Sequence, residues 1–179
     1  CIRDRRCSGT TALHFDECRI PATHLIGPLH GGYRAALSSL GAGRIGISGA
    51  CIGVAEAALV EGLRYAQERE AFGRPISQYQ TTQFMVADCR TELDAAWLLT
   101  LRAAFLHDAG HRADAESSMA KVVASETTDR IVDRMLQLHG GYGYSEEYPI
   151  ERLYRDSRVL RIYEGTSEIQ RMIIARSVL

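Results

Sequence analysis

Between Gly31 and Pro149 the chain contains a single proline, Pro75. A backbone so rarely interrupted, and rich in Ala, Leu, Arg and Glu, can continue as helix for many turns. The apolar positions follow suit. Ala36, Leu40, Ile47, Cys51, Val54, Ala58 and Leu63 recur near the 3.6-residue period and predict a first helix from about Tyr33 to Arg69. Pro75, within AFGRPISQ, ends that pattern. A second helix is expected from about Gln78 to His107, with Met85, Cys89, Leu93, Trp97 and Leu101 buried along one stripe. DAGHRADA then turns the chain into a third helix from about Ala113 to His139. After the loop GGYGYSEEYP come a short helix over about 147–157 and a last one over about 167–178. Three helices, each near or above roughly 25 residues, predict an all-α fold, an antiparallel up-and-down four-helix-type bundle.

Residues 1–29 have another texture. TTALHFDECRIPATHLIGP is a short β-prone run, a polar turn, two prolines and a glycine, as expected of a strand-rich region ending in a connector. The expected organisation is therefore a short β leader with its connector, 1–29, ahead of a helical domain, 30–179. The first residue is Cys1, not Met, and no signal or transit character precedes the leader, so the sequence reads as a piece of something longer.

Bulk composition excludes several classes of partner. A net charge of −1 gives no general attraction to nucleic acid or to an anionic membrane. No continuous apolar run approaches the roughly 18 residues that would span a bilayer. Cys1, Cys7, Cys18, Cys51 and Cys89 form no C-x-x-C and no zinc-like spacing with histidine, which points to reduced thiols in a cytoplasmic protein and to no metal. Twenty of the 21 basic residues are arginine, the exception being Lys121, a bias that suggests a GC-rich bacterial genome.

Some short motifs mislead. GAGRIG, Gly41 to Gly46, has the letters of a dinucleotide fingerprint, but that motif must follow a strand, and YRAALSSL before it is helical. SMAK, Ser118 to Lys121, lacks the partner motifs of a serine acylase and reads as helix surface. Asp108 and His111 make one acid-x-x-His pair, in a turn, where a di-metal bundle needs two. His139, taken alone, reads as a structural histidine.

FDECRIP (15–21), REAFGRPISQYQ (69–80), QLHGGYGY (137–144) and YEGTSEIQR (163–171), in this order and spacing, resemble the flavin-dependent acyl-CoA dehydrogenases. The resemblance covers essentially the whole chain but only the C-terminal part of such an enzyme, which would make 1–29 the end of its middle β-barrel-like domain. It implies an oxidoreductase that converts an acyl-CoA thioester to its trans-2-enoyl-CoA, with FAD as cofactor and an electron-transferring flavoprotein as electron partner. Glu164 matches the base that removes the α-proton. Gly43 stands where some relatives carry that glutamate instead, which leaves Glu164 as the candidate.

Further carry-over follows from the same resemblance. Gly41, Ala42, Gly43, Arg44, Tyr163 and Gly165 would line the thioester end of the substrate site. Arg69, Phe72, Gln80 and the loop Gln137, Leu138, His139, Gly140 and Gly141 would touch the FAD of a neighbouring subunit, with Phe72 packed in its turn. Thr166, Ser167 and Glu168 would touch the chain's own FAD. The side chains of His139 and Tyr142 receive no role. Contacts of this kind imply at least a homodimer, two of which would make a homotetramer. The isolated 179 residues would hold FAD poorly and not turn over. Two other classes compete: a catalytically silent helical oligomerisation module, and an acyl-CoA oxidase.

In the role the resemblance implies, a carboxylate on a glycine-flanked turn just before a helix suits a base, whereas on the residues alone Glu164 reads as the decoration of a helix cap. The helix N-terminus would favour the anion, burial under flavin and substrate would raise its basicity, Gly165 would clear space for substrate, and Thr166 is a natural N-cap.

Overall fold

The structure, a computed structural model, describes residues 11–179. Its two compact units are Cys1–Leu40 and Gly41–Leu179. Five helices carry the fold: α1 Gly32–Glu68, α2 Gln80–Asp108, α3 Asp114–His139, α4 Pro149–Ser157 and α5 Ser167–Val178. Each expected helix is present within about three residues at either end, in an antiparallel up-and-down bundle.

The ends have local causes. After α1 the chain makes a minimal antiparallel hairpin, β1 Glu70–Ala71 and β2 Arg74–Pro75. Phe72 (φ +52°) and Gly73 (φ +83°) supply the two left-handed residues that such a tight turn requires. The Tyr79 hydroxyl donates to the Ala71 carbonyl at 2.7 Å, and the Arg74 guanidinium lies 4.1 Å from the Tyr79 ring centroid, which latches the hairpin to the start of α2. Gly140 (φ +60°) stops α3, and Pro149 opens α4 at a first-turn position where its missing N–H costs nothing.

One core cluster joins Ala55, Ala58 and Leu59 of α1, Cys89 and Leu93 of α2, Ile131, Val132 and Met135 of α3, and Ile150 of α4. A second joins Cys51, Ala96, Ala124 and Leu160. The Thr128 hydroxyl of α3 donates to the Cys51 carbonyl of α1 at 2.9 Å, so a polar contact also ties these two helices.

Four expectations need correction. The α2 stripe is not Met85, Cys89, Leu93, Trp97 and Leu101, since Trp97 and Leu101 are each 45% exposed. Steps of four residues advance the face by about 40° each, so the stripe winds away from the core. Alternating steps stay on it, and Cys89, Leu93, Ala96, Thr100 and Ala103, with Thr82 in the first turn, are the buried set. In α1, Ala36 is exposed. SMAK is not helix surface: Ser118 and Lys121 are fully buried on the inward face of α3. Finally, α1 is long and apolar enough, by length and composition, to cross a membrane. Its interspersed glycines, serines and charges hide this from a search for continuous apolar runs. Its buried face, Cys51, Ala55, Ala58 and Leu59, belongs to the bundle core.

In the described part of the leader, residues 11–29, a single 3-10 turn, Ala22–His24, is the one regular element. The paired strands of the described chain lie at 70–75 instead. Part of the expected strand, with Cys1 and Cys7, falls on residues 1–10, outside the described residues.

Candidate active site

Two consecutive left-handed residues, Glu164 (φ +56°) and Gly165 (φ +90°), form the turn that leads into α5. The conformation is ordinary for glycine and uncommon for glutamate. Thr166 caps the helix as expected, its hydroxyl oxygen accepting from the Ile169 amide at 3.5 Å. Glu168 sits in the first turn, and its carboxyl is held below the usual carboxylate range by its own backbone N–H and by the Thr166 hydroxyl.

The Glu164 side chain meets α1 at Gly43. A Cβ on Gly43 would stand 2.7 Å from Glu164 Oε2 and 3.3 Å from its Cδ, so the carboxylate occupies space that any other residue there would fill. Beside it, Arg44 is buried with no hydrogen-bond partner at Nε. Gly41 is half-buried and Ala42 exposed, and Tyr163 packs partly buried against the cluster around Leu160.

The turn is gripped from behind. Gln170 Nε2 donates to the carbonyls of Glu164, at 3.0 Å, and Gly165, at 3.1 Å. Lys121 Nζ donates to the Gly165 carbonyl at 2.8 Å. Burial lowers the Lys121 ammonium below its ordinary range, with Arg161 acting in the same sense. Burial also pushes the Cys51 thiol up to about 12, so it stays protonated at neutral pH.

A second group of predicted residues gathers at the other end of α1. The Arg69 guanidinium lies 5.8 Å from the Tyr142 ring centroid, which puts the hairpin strand beside the loop after α3. Gln80 and Gln137 are exposed, and a Cβ on Gly140 or Gly141 would meet no atom within 4 Å. One correction arises here, at Phe72, whereas His139 is the structural histidine expected. Phe72 does not pack in its turn: it stands 99% exposed at the hairpin tip. The His139 ring is turned inward, stacked on Tyr65 at 4.2 Å with its Nδ1 2.7 Å from the Met135 carbonyl, and Leu138 packs against the core. Backbone alone is therefore offered at 138 and 139. Ser167 is likewise buried, its hydroxyl without a partner.

Residues 30–179 match the family defined by the acyl-CoA dehydrogenase C-terminal domain. The chain belongs to the acyl-CoA dehydrogenase family. It is 46% identical over 174 residues to the short-chain specific mitochondrial acyl-CoA dehydrogenase of Rattus norvegicus, covering 97% of this chain and 42% of that one. It is 44% identical over 170 residues to CarC, a subunit of the caffeyl-CoA reductase-Etf complex of Acetobacterium woodii, covering 95% and 45%. The structure superposes on butyryl-CoA dehydrogenase from Megasphaera elsdenii with a TM-score of 0.89 at 36% identity, covering 92% of this chain and 43% of the other. The chain thus spans less than half the length of these relatives.

As part of an acyl-CoA dehydrogenase family protein, the Glu164 turn has two supports that sequence reasoning missed. Lys121 carried a signal, as the sole lysine among twenty arginines. Gln170 carried none, because nothing in EIQR says which polar residue turns inward.

Proposed function

We propose that this chain is the base-bearing C-terminal part of a flavin-dependent oxidoreductase acting on the α and β carbons of an acyl-CoA thioester. The observation that carries the reading is the Glu164 carboxylate, presented on a left-handed turn against the bare backbone of Gly43. In the oxidative direction Glu164 takes the α-proton of the thioester while the β-hydrogen would leave as hydride to a bound flavin, giving the trans-2-enoyl-CoA; in the reductive direction the same carboxyl returns a proton to the α-carbon while hydride would return to the β-carbon. The relatives bear names of both kinds, dehydrogenase and reductase. Gly41 to Arg44 with Tyr163 and Gly165 line the thioester end, where the missing side chain at 41 leaves open space over the backbone.

FAD would supply the acceptor for the β-hydrogen as hydride. The residues present fit its binding. Arg69 and Gln80 are exposed donors suited to a diphosphate, Phe72 is an uncovered aromatic, and Gly140 and Gly141 leave open space over the backbone. Thr166 and Glu168, with the first amides of α5, would hold the chain's own cofactor through backbone, since Ser167 faces inward. An electron-transferring flavoprotein is the proposed electron partner, and the name of the Acetobacterium relative supports it. A cytoplasmic homodimer or homotetramer completes the reading. The intact Glu164–Gly43 contact favours an active enzyme over a silent oligomerisation module.

The test is Glu164→Gln in the full-length protein, which keeps size and polarity but removes the basic lone pair. Mixing with saturated acyl-CoA without oxygen should bleach the flavin about 10² to 10⁴ times more slowly than in wild type, with ligand binding retained. Wild-type bleaching rates would reduce Glu164 to a helix-cap ornament.

A further inference from the structure

We propose that Lys121 and Gln170 are positioning residues for Glu164, holding from α3 and α5 the two carbonyls whose direction keeps its turn left-handed and its carboxylate at Gly43. The inference rests on Glu164 being the base.

Both side chains are fully buried, and both spend their donors on this turn. Lys121 Nζ reaches across from α3 to the Gly165 carbonyl at 2.8 Å. Gln170 Nε2 bridges the carbonyls of Glu164 and Gly165 at 3.0 and 3.1 Å. The opposite amide orientation would point Gln170 Oε1 at two carbonyl oxygens and repel them, so the network assigns the orientation even though it leaves Oε1 buried without a partner. An unpartnered buried oxygen is a cost accepted for the other end's contacts. The fit is close: a Cβ on Gly165 would overlap the Gln170 amide nitrogen.

Lys121 makes the stronger case. A buried ammonium is disfavoured unless something local uses it, and its hydrogen-bond partner here is a neutral carbonyl. A sequence that uses arginine at twenty other basic positions keeps lysine at this one. The chemistry explains why. A guanidinium brings five donors in a rigid planar fork, whereas a compact ammonium with three donors on a flexible stem can aim one of them at a single carbonyl and leaves fewer unmet. Without these donors the carbonyls of 164 and 165 lose their reason to point inward. Glu164 would then relax toward the right-handed or extended backbone that glutamate prefers, carrying its carboxylate off Gly43. A loss of this kind lowers proton removal while leaving ligand binding intact.

The experiment uses full-length protein and 3-thiabutyryl-CoA, whose sulfur at the β position prevents hydride loss and leaves only α-proton removal to observe. Deuterium wash-in at its α-carbon from heavy water is followed by mass spectrometry, and its Kd by titration. Lys121→Met and Gln170→Leu should each slow wash-in 10- to 100-fold with Kd within threefold of wild type. The double variant should be no more than about twofold slower than the slower single, because both donors act on one turn. Wash-in within twofold of wild type in either folded variant, or a slowing matched by an equal loss of affinity, overturns the inference. Glu164→Gln is measured alongside. Wash-in that survives there overturns the base assignment and this inference with it; wash-in lost there but kept in Lys121→Met overturns this inference alone. Should Lys121→Met fail to fold, Gln170→Leu and the length-matched Gln170→Met decide it on the same readout.

Discussion

Glu164 combines two local oddities, a carboxylate in a left-handed conformation and a partner position with no side chain. The conformation costs a non-glycine residue about 1 kcal/mol, which the carbonyl contacts from Lys121 and Gln170 offset. The contact with Gly43 also predicts that the base can change address. In a Gly43→Glu/Glu164→Gly double variant, glycine at 164 suits φ +56° and vacates the space that a Cβ at 43 needs. Activity should return to at least about tenfold above Glu164→Gln, since a positioned base is commonly worth more than that. Flavin bleaching measures it, and no recovery in a folded, ligand-binding double variant would show that the two positions do not converge on one α-carbon. Gly43→Glu alone should be impaired, because two carboxylates would compete for one place.

At the scale of elements, α3 organises the bundle, contributing to both core clusters and reaching α1 through Thr128 and the α5 turn through Lys121. Close approach of α1 and α3 depends on Gly62. A Cβ there would overlap the Met135 sulfur and lie 3.1 Å from its Cγ, and Met135 is fully buried and cannot swing into solvent. Gly62→Ala should therefore destabilise by about 1–3 kcal/mol through overpacking, seen as a melting point lower by about 2–4 °C per kcal/mol. Adding Met135→Ala should cost less in this background than in wild type, since the new methyl fills part of the space that the methionine leaves. Strict additivity of the two melting shifts would refute the contact.

At the scale of the whole molecule, α2 leaves Phe84, Trp97, Leu98, Leu101 and Phe105 exposed, between 45% and 73% of their surface. Large apolar residues gathered on one helix commonly mark a surface covered by another chain, and the occupant proposed here is a second copy. Light scattering of the full-length protein should give a dimer or tetramer, and Leu98→Glu with Phe105→Glu should shift it to a smaller species while the helical signal persists. A wild-type monomer, or an assembly indifferent to both charges, would remove this support for subunit-shared FAD contacts at Arg69 and Gln80.

Much of this was determined by the sequence alone. Helix content and boundaries follow from apolar period and proline placement, which act within a few residues and need no partner. The Thr166 cap is local in the same way. Where three-dimensional packing chose among chemically similar positions, the sequence was silent or misleading. It offered five i+4 residues as the α2 stripe, and the drift of a real helix exposed Trp97 and Leu101. It offered SMAK as surface, and the inward face of α3 buried Lys121 against the Gly165 carbonyl. Glu164 could be singled out from its motif, but its approach to Gly43 joins residues 121 positions apart in the chain. Only the packing of α1, α3 and α5 decides such a contact, because burial and hydrogen bonding between distant segments leave no periodic trace in either one.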